Sequence, residues 1–168
     1  MRNHLIKASL LMTVTVVLAP FALANSALQG DPEVDALIVA AKFLEEHPLD
    51  KNAKDMRSKA MVWVIKTDKV SVTVCSLLLG SNKKYKHNSA LFGQYTIAMA
   101  AFKLANPGKA ADENAVQQAG IDSALAAYEA IVKEKPKERD SFMDGLLAKR
   151  ADPNFAKYVL ENNCTDKK

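Results

Sequence analysis

The stretch KVSVTVCSLLLG, Lys69 to Gly80, decides how the chain is read. Val70, Val72 and Val74 alternate with Ser71 and Thr73, and β-branched residues at period two favour a strand. Val70, Val74, Leu77 and Leu78 also fit a helical period, so the pattern alone does not choose. A strand needs a partner, and the rest of the chain holds no second run of this kind. Residues 68–79 therefore read as an extended connector that enters a short helix ending near Gly80. The fold class follows. It is all-α, an irregular bundle of five or six helices joined by short loops.

Outward from the connector, the helices announce themselves by caps and stops. Asp31-Pro32-Glu33 sets out an N-cap, a first-position proline and an acid on the positive end of the helix dipole. Val34, Leu37, Ile38, Ala41 and Leu44 then share one face, and His47-Pro48 ends the helix, where an imidazolium would complement the dipole. Asp50 is expected to start a second helix with Ala53, Met56, Ala60, Trp63 and Val64 on its inner face. Asn88 or Ser89 caps a third long helix, with Leu91, Tyr95, Ala98, Met99 and Phe102 as its stripe up to Asn106-Pro107. Asp112 caps a fourth that buries Val116, Ile121, Leu125, Tyr128 and Val132 before Pro136. Phe142, Leu146 and Leu147 mark a short helix, and Asp152-Pro153 opens a last one carrying Phe155, Tyr158 and Val159 toward Cys164.

Three helices end alike, in AAKFLEEHP, AAFKLANP and AYEAIVKEKP. Alanine-rich helix pairs closed by proline loosely resemble tetratricopeptide repeats, mainly over residues 90–136. Prolines 48, 107 and 136 stand 59 and 29 residues apart. That family repeats every ~34 residues, so the resemblance implies at most one such helical hairpin inside an irregular bundle.

The N-terminus reads as an export signal over residues 1–24. Arg2 and Lys7 precede an uncharged run from Ala8 to Ala24, Pro20 breaks it, and Ala22-Leu23-Ala24 offers a cleavage site. The run is shorter than the ~20 apolar residues a membrane span needs. Cleavage would leave residues 25–168 as one helical domain, with 25–30 and 165–168 as loose ends, in the periplasm or outside the cell. Removing Arg2 and Lys7 lowers the formal charge from +4 to +2, which is no footprint for nucleic acid. The whole chain, 49% hydrophobic and 25% charged, has the balance of a domain with its own core.

Cys75 and Cys164 are the two cysteines. In an exported chain an even count points to a disulfide between them, closing a loop of about 90 residues. A redox pair would carry Cys-x-x-Cys, a metal site would need more partners than His47 and His87, and free buried thiols are the remaining reading. No motif for a serine nucleophile, a phosphate loop, zinc or calcium occurs, so no catalytic, cofactor-binding or metal residue is assigned. KKYKH is the densest basic cluster. Lys83, Lys84, Tyr85, Lys86 and His87 are candidate contacts for an anionic partner, set against a solvated loop with Tyr85 tucked onto a helix. Trp63, Phe92, Tyr95, Phe102, Tyr128 and Phe142 belong to the core or line a pocket. Phe92 and Tyr95 cannot both occupy the centre of one narrow stripe, so one of them widens the face or stands at a groove. The expected function is binding of another envelope protein or peptide, without catalysis. The alternative is a small-ligand carrier or small enzyme with an inter-helical pocket. An open apolar groove would favour the first, and an enclosed cavity with converging polar groups the second.

Overall fold

The computed structural model describes residues 30–79 and 84–164. The expected signal segment, Gly80, Lys83 and the C-terminal residues 165–168 lie outside the described residues. Among those described, the chain forms seven α-helices and two 3₁₀ turns, with no strand. The helices are α1 (Pro32–Glu46), α2 (Ala53–Lys66), α3 (Ser76–Leu79), α4 (Asn88–Ala105), α5 (Glu113–Glu134), α6 (Ser141–Arg150) and α7 (Phe155–Asn162). The 3₁₀ turns, Pro107–Lys109 and Pro136–Glu138, begin at the prolines that end α4 and α5. The all-α irregular bundle is the observed fold.

Local chemistry sets most boundaries. The Asp31 carboxylate accepts the Glu33 N–H at 3.0 Å, and Asp112 accepts that of Ala115 at 3.0 Å, so both cap as read. Asp140 caps α6 through Phe142 and Met143. Two starts differ from the sequence reading. Asp50 accepts the Asn52 N–H at 2.7 Å and Asp152 accepts that of Asn154 at 2.7 Å, in turns that precede the helices. The helices therefore begin at Ala53 and Phe155, because each aspartate closes a turn on its own backbone before the helix starts. At the third long helix, Asn88 is already helical and His87 occupies the N-cap.

α4 is the axis of the bundle. From Leu91 to Ala101 every residue except Phe92 is buried, so this helix has no wet face. Its sequence carries no charge from Ser89 to Phe102, as a helix surrounded by others requires. On one side α1 and α2 cover it with Leu37, Leu44, Ala60 and Val64, which pack on Ile97 and Ala100. On the other, α3, α5, α6 and α7 close a larger core around Tyr95, Met99, Ile121, Leu125 and Tyr128. α4 and α5 run antiparallel, pairing Lys103 with Glu113, Tyr95 with Gln117 and Gln94 with Ser123. This hairpin extends from residue 88 to residue 134, longer than the ~34-residue tetratricopeptide unit.

Candidate functional site

The connector between α2 and α3, residues 67–75, is neither helix nor strand. Its backbone is held by side chains from other helices. The Lys103 ammonium on α4 donates to the Ser71 carbonyl at 3.0 Å, and Gln117 Nε2 on α5 donates to the Thr73 carbonyl at 2.6 Å. The Cys75 N–H donates to the Tyr95 hydroxyl at 3.3 Å, and that hydroxyl donates in turn to Gln117 Oε1. The gripped groups fall on residues 71, 73 and 75, the period of an extended chain seen from one edge. At its start the connector is tied to α1, where Lys69 pairs with Asp31 and with Glu33 at 3.1 Å. Lys69 holds both carboxyls below their usual range. At its end Cys75, fully buried, forms the disulfide with Cys164 after α7, with a Cα–Cα distance of 5.4 Å.

These clamps hold the connector as one wall of an open groove. α2 supplies the opposite wall through Met61, Val64 and Ile65, the connector adds Val70, Val72 and Val74, and Phe92 and Thr96 of α4 also line it. The hollow measures about 570 Å³ and has no charged residue in its lining. Ile65 is 75% exposed and Val62 47%, so the outer side of α2 leaves large apolar groups in solvent. A second cleft of about 500 Å³ lies between α1 and α2, lined by Ala36, Leu37, Ala40, Met56, Ala60 and Trp63. Glu33, Asp55 and Lys59 also border it, with Asp55 and Lys59 paired at 2.8 Å. The Trp63 indole N–H donates to Glu33 at 3.2 Å.

The aromatic residues divide accordingly. Tyr95 and Tyr128 are fully buried, Phe102 packs partly buried against the larger core, Phe142 is 38% exposed, Trp63 lines the α1–α2 cleft and Phe92 stands in the connector groove. Of the two residues that could not share one stripe, Tyr95 is the core residue and Phe92 the groove residue.

The basic cluster is tied back onto the chain. Lys86 and His87 both pair with Glu138 of the second 3₁₀ turn, and the Tyr85 hydroxyl donates to the Glu138 carbonyl at 3.1 Å. Lys86 first and His87 second pull the Glu138 carboxyl down to about 2. Tyr85 also meets Tyr128 edge-on at 6.1 Å between ring centroids. Lys84 is exposed, and Lys83 lies outside the described residues. His47 caps the C-terminus of α1, its backbone N–H donating to Phe43 O at 2.8 Å, and its ring lies 5.1 Å from that of Phe43.

Arg57 on α2 belongs to no motif in the sequence. Its Cδ would lie 2.8 Å from a Cβ at position 93, so a larger residue there would require the Arg57 side chain to shift. Nη2 donates to the Pro48 carbonyl at 3.3 Å, while the buried Nε has no partner among the described residues. Burial alone lowers its pKa, with no charged neighbour offsetting the effect. Among the described residues, no cluster of three or more His, Cys, Asp or Glu stands in position for a metal ion. No described helix is long and apolar enough to cross a membrane. No family model matches the chain, and neither does any curated protein or solved structure.

Proposed function

We propose that this chain is an exported protein that acts by binding, holding a segment of another envelope protein or peptide in a groove beside α2. The open, uncharged groove between α2 and the connector carries this reading, together with Ile65 standing 75% exposed at its edge. Grooves of this character suit apolar side chains of a macromolecular partner. Export rests on the basic, apolar and small-residue layout of residues 2–24 and is compatible with the Cys75–Cys164 disulfide.

The α1–α2 cleft supports the alternative of a small-ligand carrier, since about 500 Å³ falls within the range of ligand pockets. A photo-crosslinking residue placed at Ile65 of the exported protein, with Lys157 on α7 as control, separates the two readings in producing cells. Discrete protein adducts from Ile65 and none from Lys157 are expected. The absence of such adducts, with a small molecule retained by the native protein in mass spectrometry, would overturn the binding-partner reading.

A further inference from the structure

The connector has two edges, and among the described residues only one is hydrogen-bonded. Lys103, Gln117 and Tyr95 grip it at residues 71, 73 and 75. In an extended chain the N–H and C=O groups of the intervening residues point the opposite way. Among the described residues, nothing donates to or accepts from the backbone of Val70, Val72 and Val74. Exposed strand edges are normally blunted by a charge or a proline, and residues 70–75 contain neither. This open edge borders the uncharged groove, so unpaired backbone groups and apolar surface lie side by side.

A cation stands close to the same groove. Met61 and Phe92 line it, while Arg57 stands one helical turn before Met61 and packs on Gly93, the residue after Phe92. Arg57 is thus a half-buried cation close to Met61 and Phe92 of the lining, without a carboxylate partner among the described residues. Resting on the binding reading above, we propose that residues 70–74 are a strand-addition site. Its occupant is an extended peptide segment that pairs with the free edge, lays apolar side chains at alternate positions into the groove and brings a carboxylate to Arg57.

The test uses the full exported chain, oxidised, and a short labelled peptide alternating valine with threonine and ending in glutamate. Binding is expected to slow amide exchange at Val70, Val72 and Val74. N-methylation of the peptide along one edge should weaken binding about tenfold or more, while methylation of the other edge is tolerated. Val74→Pro deletes one free N–H of the protein and should weaken the peptide similarly. Arg57→Gln should weaken the glutamate-ending peptide and leave a form ending in glutamine amide, which carries no carboxylate, unchanged. Equal binding of both N-methylated peptides, or stronger binding of a helical peptide of the same composition, would overturn strand addition. So would a dimer of the free chain that dissolves in Val74→Pro, since the edge would then belong to a second copy. Adducts from Ile65 without any effect of these changes would sink the strand mode and leave the partner reading standing.

Discussion

Gly120 and Gly145 are both helical glycines, yet they should respond oppositely to the same methyl group. A Cβ at Gly120 would lie 2.6 Å from Met99 Cγ and 2.7 Å from Tyr95 Cδ2. The Tyr95 ring is fixed by its bonds to Cys75 and Gln117, so α4 and α5 would have to separate. Gly120→Ala is therefore expected to cost about 1–3 kcal/mol, as overpacked cores do. Gly145 on α6 has nothing within 4 Å of its Cβ position. Gly145→Ala should stabilise by about 0.5–1 kcal/mol, since alanine loses less backbone entropy in a helix. Urea denaturation of the two variants beside the parent chain checks both signs. Equal effects would mean that the close approach at Gly120 does not limit the packing.

At the scale of the element, the connector depends on a phenol staying neutral. Tyr95 is fully buried, and desolvation raises its pKa to about 12. Unfolding returns it to about 10, so its neutral form favours the fold fully below pH ~10. That contribution fades as the pH climbs through about 12. Burial raises Tyr85, Tyr128 and Tyr158 as well, so the alkaline transition is shared. Tyr95→Phe should narrow that transition without abolishing it. At neutral pH it should cost about 1–3 kcal/mol, because Gln117 Oε1 loses its donor and the Cys75 N–H its acceptor. Tyrosinate absorbance followed with circular dichroism from pH 9 to 13 reads both effects; ionisation well ahead of unfolding would contradict the burial argument. These clamps were not legible in the sequence, because Lys103, Tyr95 and Gln117 reach residues 71–75 from helices far along the chain. What was legible is local: the caps at Asp31 and Asp112, the proline stops, and a non-helical connector entering a short helix. The inner faces were legible in part. Periodicity assumes one wet side, and α4 has none, so Ile97 and Ala100 fell outside its expected stripe. The groove was foreshadowed only by Phe92 and Tyr95 competing for one face. Arg57 carried no signal, since its isolation depends on what does not approach it.

For the whole molecule, the question is how the smaller helices stay on the α4 axis. α1 and α2 attach through their own apolar cluster, whereas α7 has eight residues and buries only Phe155 and Val159. A helix of that length is not stable alone, so α7 depends on this packing and on the bond from Cys164 to Cys75. The cross-link closes a loop of sequence separation 89. Constraining an unfolded chain over such a span contributes on the order of 4–5 kcal/mol. For a domain of this size the loss corresponds to a fall in Tm of roughly 15 °C. The double variant Cys75→Ala/Cys164→Ala removes the bond without leaving a thiol. It should show that fall, with faster amide exchange in α7 and the residues before Cys75. Exchange in α1 should be nearly unchanged, because its cluster lies across α4 from the bond. Intact mass with thiol labelling, before and after reduction, establishes the parent's bonding state. Two thiols free without reduction would remove the cross-link from the fold. Equal loss of protection in α1 and α7 would mean that the two clusters melt as one unit, which would place their coupling in α4 itself.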